Sequence, residues 1–201
     1  MNKTAIPTSR RRPGGPVLQE DVTHALRTAF FEELAAVGYG KLSLEAVARR
    51  AGAGKAAIYR RWPSKRAMTA ELVSQVAIEA IGTPDTGGLR EDVDRFVRDS
   101  LTALNHPIVS KIAPDLLAEA ARNEELAQTL LARVRDSRRK SAARIIHRAV
   151  ERGELPPGTD VELNLDFLAG PVYWRVAVVR VSVDDDYIDR VVTKIVAAMK
   201  A

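Results

Sequence analysis

Residues 43–62, SLEAVARRAGAGKAAIYRRW, restrict the possible folds of this chain more than any other stretch. Leu44, Val47, Ala48 and Ala51 recur at helical spacing, Gly52 punctuates the chain, and a second short helix is expected over 55–62. Helices this short are marginal alone, so both need a further helix to pack against before either can present its outer side stably. In the second helix Ile58 and Trp62 lie four residues apart on one face, which makes Trp62 a packing anchor. Lys55, Ala56, Tyr59 and Arg60 share the opposite face, and Arg61 flanks it.

The rest of the pattern is helical as well. Over 17–37 a single apolar stripe runs through Val22, Ala25, Leu26, Ala29, Phe30, Leu34 and Val37, and Gly38 and Gly40 stop it. Ser43 is a good N-cap for the next helix, with Glu45 in its first turn. Phe30, Leu34, Leu44, Val47, Ile58 and Trp62 are the expected core of this first unit. Pro63 bars a smooth continuation, and Ser64 caps a helix over 65–81 whose apolar side is Met68, Leu72, Val76 and Ala80. Residues 82–88, GTPDTGG, form the clearest linker.

Beyond it, a helix is expected over 89–104. Pro107 and Pro114 divide the next stretch into two short helices ending near Arg122, and one long amphipathic helix spans 124–152. Asp160 caps a helix reaching about residue 183, and Asp184, Asp185 and Asp186 open the last one. Residues 176–183, VAVVRVSV, are β-prone but lie inside a longer helical period. The fold class is therefore all-α, with nine to ten helices. Residues 1–16 are a flexible basic arm, 17–64 an N-terminal three-helix helix-turn-helix domain, and 65–201 a larger helical domain, with 65–81 as connecting helix.

Charge is unevenly placed. Residues 1–66 carry 13 Lys and Arg against 5 Asp and Glu, whereas 67–201 carry 18 against 21. Cations concentrated around the two short helices create a field that attracts phosphate. A short helix anchored by apolar residues and wearing cations outward suits the major groove of duplex DNA. Arg60 has the donor fork that matches the two acceptors of guanine, while small Ala56 and Ala57 permit close approach to the bases. Tyr59 can donate its hydroxyl to a phosphate, and Arg61 and Lys65 most simply neutralise phosphates. Lys65 and Arg66 stand in the first turn of a helix, where each cation costs about 0.3–1 kcal/mol against the helix dipole; a phosphate beside them would offset that cost. The arm holding Arg10, Arg11 and Arg12 is either a disordered leader or a strand that follows the DNA backbone or minor groove.

Several classes are disfavoured. There is no cysteine, so disulfides and thiolate metal sites are excluded and the cytoplasm is the simplest home. No apolar run reaches membrane-spanning length, and the first residues lack the apolar core of a secretory signal. His24, His106 and His147 are scattered, with no metal-ligand spacing, and neither a phosphate-binding glycine loop nor a nucleophile elbow is present. Neither an enzyme nor a cofactor is expected.

The segment from Leu18 to Val73 resembles the DNA-binding domain of the tetracycline repressor (TetR) family. The family pattern L-[ST]-x-x-x-[VI]-A-x-x-A-G-[VA]-x-K-x-x-[IL]-Y-x-x-[FW]-x-[SN]-K stands here as LSLEAVARRAGAGKAAIYRRWPSK. Residues 168–175, LAGPVYWR, resemble the C-terminal regulatory domain of one branch of that family. The resemblance implies a homodimer that binds double-stranded operator DNA and represses. It places Ser43 and Tyr59 at phosphate-contacting positions, Lys55 and Ala56 near the bases, and Lys65 at a phosphate contact opening the fourth helix. Gly54 departs from the usual Ser or Thr, and Arg60 and Arg61 stand where aromatic residues or His are common. These departures bear on the operator sequence rather than the fold.

The C-terminal half has more apolar surface than one core can use. One stripe runs through Val161, Leu165, Leu168, Val172, Val176 and Val179, and another through Leu163, Phe167, Trp174, Val178 and Val181. The last helix has a similarly wide apolar face, from Tyr187 to Met199. Two apolar faces imply packing inward and across a two-fold interface built from the last two helices. Gly170-Pro171 should kink that interface helix. In the resembled family a small-molecule effector enters this half; here Phe96, Leu104, His106, Leu116, Leu117, Phe167, Tyr173 and Trp174 could line its pocket. The alternative is a ligand-independent DNA-binding or assembly protein. A filled C-terminal core would favour that alternative, and a cavity of roughly 300 Å³ or more would favour a sensor.

Overall fold

The computed structural model describes residues 16–79 and 82–201; of the basic arm expected over 1–16, residues 1–15 lie outside the described residues and Pro16 opens the first helix. Everything regular in them is helical. The elements are α1 (Pro16–Lys41), α2 (Leu44–Arg50), α3 (Lys55–Tyr59), α4 (Lys65–Glu79), α5 (Leu89–Asn105) and α6 (Val109–Ala120). Next come α7 (Glu124–Leu126), a π-helical turn (Ala127–Leu131), α8 (Ala132–Glu151), α9 (Val161–Tyr173), a second π-helical turn (Trp174–Val178) and α10 (Asp185–Met199).

Helix starts obey side-chain chemistry. The Ser43 and Ser64 hydroxyls accept from the amides of Ala46 and Ala67, both at 3.1 Å. Asp160 and Asp184 accept from Leu163 (3.0 Å) and Tyr187 (2.8 Å). Asn123 caps α7 in the same way, at 3.1 Å from the Leu126 amide. Each cap satisfies an amide that the helix itself leaves without a partner, and is worth about 0.5–2 kcal/mol.

Two apolar clusters organise the molecule. Leu26, Phe30, Leu34, Leu44, Val47, Ile58 and Trp62 are buried together with Met68 and Leu72 of α4, so the core expected for the first unit forms. That cluster also takes in Ile112 and Leu116 of α6, Leu126 of α7 and Leu130 of the first π turn. The second cluster joins α5 (Val93, Phe96, Val97), α8 (Ile145, Ile146, Ala149), α9 (Leu165, Leu168, Val172) and α10 (Val191, Val192, Ile195). The linker is fastened to this second body by Asp92, which is fully buried and accepts from the Thr86 amide (2.7 Å) and hydroxyl (2.8 Å) and from Arg152 (3.3 Å).

Five expectations about element boundaries need correction. Gly38 adopts φ +73° and kinks α1 rather than ending it; one more turn continues to Lys41. The kink frees the Tyr39 amide, which donates to the Asp115 carboxylate at 2.8 Å, and a Cβ on Gly38 would stand 2.9 Å from that carboxylate. Glycine is thus required there both by dihedral and by space. Helix α3 stops at Tyr59, three residues short of the expected end. Pro114 lies inside α6 rather than dividing it; the residue whose carbonyl loses its helical partner, Ser110, is exposed, which lowers the cost. The long helix expected over 124–152 is interrupted by the π turn at Ala127–Leu131. Finally, α9 ends at Tyr173, widens into the second π turn within one turn of Pro171, and gives way to a loop at 179–184. Arg180 takes φ +58° there, a left-handed residue of the kind that terminates helices.

Candidate nucleic-acid interface

The reading surface is built from the core outward. Ile58 and Trp62, both buried, clamp the turn after α2 onto α1, and this turns the other side of α3 to solvent. Lys55, Ala56, Tyr59 and Arg60 are exposed, and Ala57 is half-buried beside them. The shared face expected for these side chains is therefore present.

Their partners are less expected. Glu45, in the first turn of α2, accepts from Lys55 Nζ and from the Tyr59 hydroxyl, both at 2.9 Å and both on the same oxygen. Lys55 Nζ lies 5.7 Å from the centre of the Tyr59 ring. The three side chains close a triangle across the two helices. The hydrogen bonds from Lys55 and then Tyr59 hold the Glu45 carboxyl down at about 2. The same contact raises the pKa of both donors. The Arg60 side chain has no hydrogen-bond or ion-pair partner among the described residues, and that of Arg49 in α2 shares this condition.

Arg61 and Lys65, expected at phosphates, have partners within the fold. The Arg61 guanidinium donates to Thr23 of α1 (2.9 Å) and to the Ala57 carbonyl (2.9 Å), so it supplies one of the carbonyls orphaned at the end of α3. Lys65 Nζ donates to the carbonyls of Tyr39 (2.9 Å) and Gly40 (3.1 Å) and lies 4.7 Å from the Tyr39 ring centre. Its unfavourable place at the start of α4 is offset by a favourable one at the end of α1, where a cation meets the negative pole of a helix. The neighbouring Arg66 pairs with Glu125, and Arg50 pairs with Glu33 at 2.7 Å. Much of the positive charge counted in the sequence is therefore matched within the fold.

Sequence reasoning missed Glu45 as a partner of α3, Thr23 as a partner of Arg61, and Asp115 as the anchor of α1. Glu45 carried one weak signal: it is the sole acid in residues 43–66.

In the C-terminal body a cavity of about 170 Å³ opens between α5, α8 and α9. Phe96, Leu104 and Tyr173 line it, as expected, and Ser100, Arg139 and Asp166 add polar groups. The other expected lining residues are elsewhere. Leu116 is buried in the cluster beneath α1, Leu117 and His106 are exposed, and Phe167 and Trp174 face solvent at 42% and 62% exposure. Leu163, Val178, Val179 and Val181 are exposed with them, and Phe167 and Pro171 border a shallow apolar groove shared with α10.

The family description "Bacterial regulatory proteins, tetR family" matches residues 26–72, and "Tetracyclin repressor-like, C-terminal domain" matches 83–195, more than half of the chain. This chain belongs to the TetR family. It is a DNA-binding transcriptional regulator by family and fold, not an enzyme. It is 35% identical over 142 residues to the uncharacterized HTH-type transcriptional regulator Rv1556 of Mycobacterium tuberculosis, covering 69% of this chain and 67% of that one. The DNA-binding transcriptional repressor TetR of Mycobacteroides abscessus is 31% identical, with 70% and 73% covered. Among solved structures, the TetR family transcription regulator SCO0332 superposes with a TM-score of 0.70 at 29% identity, covering 88% and 97%. Among the described residues, no helix is long and apolar enough to cross a membrane.

Proposed function

We propose that this TetR-family regulator is a homodimeric repressor that reads a near-palindromic operator and is released from it by a small effector. The observation that carries the reading is the pairing of two opposite exposures in one fold: a polar, cationic α3 at one end and an apolar α9–α10 surface at the other. In this reading α3 enters the major groove. Arg60 reads base edges, Ala56 and Ala57 let the helix come close with Lys55 beside the bases, and Ser43 meets the backbone. Arg61 and Lys65 act chiefly by holding the head together. The apolar surface pairs with its copy, which sets two heads one or more helical turns apart.

The cavity of about 170 Å³ between α5, α8 and α9 is where such an effector would bind. Its volume lies below the roughly 300 Å³ typical of ligand sites, and this favours a second reading, a regulator that works without a ligand. Selection of bound fragments from genomic DNA, with the mass of the complex measured in solution, tests the first reading. The expected result is a two-fold related sequence bound by two chains. Binding of all fragments alike by a single chain would overturn it.

A further inference from the structure

Seven Lys and Arg residues and a single acid, Glu45, occupy residues 43–66. An acid on a surface that faces a polyanion weakens attraction at long range, so its presence there calls for a reason. The first turn of α2 favours an acid and the carboxylate also accepts from its own backbone amide, but Ser43 already caps that turn and neither contact calls for a reach across to α3. Stability is a poor reason as well, since exposed ion pairs contribute little to it. What Glu45 does in the structure is specific: one oxygen takes both Lys55 Nζ and the Tyr59 hydroxyl. These are two of the groups best placed to seize a phosphate regardless of sequence. The Arg60 side chain, one residue on, has no partner among the described residues.

We propose that Glu45 is a specificity-determining residue of the DNA-binding surface, restraining Lys55 and Tyr59 from unselective phosphate contact so that discrimination between duplexes falls on Arg60. The inference rests on the reading that α3 faces the duplex. A carboxylate only accepts hydrogen bonds, so it cannot itself bind a phosphate oxygen; the base-edge donors it could meet in the major groove are the amino groups of cytosine and adenine. Arbitrary duplex therefore competes with Glu45 for Lys55, whereas a cognate site gains contacts that do not require its release.

The test compares full-length wild type, Glu45→Gln and Glu45→Ala on two probes: a duplex of scrambled sequence and the genomic fragment that the wild type selects. Affinity is followed by fluorescence anisotropy across a salt series, with thermal melts to show that the variants fold. Glu45→Gln is expected to bind the scrambled duplex about three- to tenfold more tightly, with a log–log salt slope steeper by about one, the mark of one added phosphate contact. Its preference for the selected fragment falls by a similar factor. In a Lys55→Met background the same change is expected to have no such effect. Unchanged affinity and slope on the scrambled duplex, or equal weakening on both probes, would overturn the proposal. A gain that persists without Lys55 would overturn it too, because the effect would then belong to the bare charge. If the wild type retains no duplex even at low salt, the failure lies with the DNA-facing reading of α3 and not with Glu45.

Discussion

The two exposed surfaces of this molecule make an instructive contrast. On the head, α3 exposes short and charged side chains around a buried pair, Ile58 and Trp62. On the body, α9 and its π turn expose Leu163, Phe167, Trp174 and Val178 around a buried set, Leu165, Leu168 and Val172. Both helices are anchored by one stripe and unfinished on the other. The difference is chemical. The charged surface gains its energy from a polyanion and loses it in salt; the apolar one gains from removal of water and is largely indifferent to salt.

The largest expected effect breaks the apolar side of this contrast. Phe167→Asp with Trp174→Asp is expected to halve the mass in solution and, by uncoupling two heads, to lower operator affinity about 10²–10⁴-fold. Light scattering and a binding isotherm check both, and an unchanged mass would move the interface elsewhere. On the charged side, Arg60→Ala is expected to cost about 1–3 kcal/mol at one operator position while leaving others untouched. Base-by-base competition reads this, and an equal loss on every sequence would reduce Arg60 to a phosphate contact. A smaller effect sharpens the line between reading surface and scaffold. Lys65→Met is expected to lower unfolding free energy by about 0.3–1 kcal/mol, through loss of a cation at the end of α1. Urea titration measures it; unchanged stability with a salt slope shallower by one would return Lys65 to the DNA.

The smallest effect expected is no effect. The folded Glu45 carboxyl is lowered from its ordinary 4.5 to about 2. A lowered carboxyl pKa contributes stability that is present above the unfolded value and lost as pH falls through the folded one. Glu45 therefore stays ionised throughout the neutral range. The pH profiles of duplex binding for wild type and Glu45→Gln should run parallel between about pH 5 and 8; divergence within that window would show the triangle opening there.

Much of the fold was legible because its signals are local. Ser43, Ser64 and Asp160 cap the helices they were expected to cap, since a cap depends on an amide three residues away; Asp184, expected only as an acid at a helix start, caps α10 as well. The buried stripe of the head came from helical period, except at its end: Val37, expected in that stripe, is exposed beside the Gly38 kink. Interior proline misled in α6, because whether a helix survives it depends on what its lost partner faces, and that partner is exposed. The two π turns had no sequence signature.

The sequence alone determined the helical class, the family, the side of α3 that is buried, and the surplus apolar surface of the C-terminal half. Each of these depends on periodicity or on contacts within one turn. Tertiary structure alone decided which cations remain available, because Arg61 and Lys65 find partners on α1, 38 and 25–26 residues away, and Lys55 finds Glu45 on α2. It also decided where the cavity lies and how α6 grips α1 through Asp115 and Gly38. A formal charge is written in the chain, but its availability to a partner depends on what the fold brings within hydrogen-bonding distance.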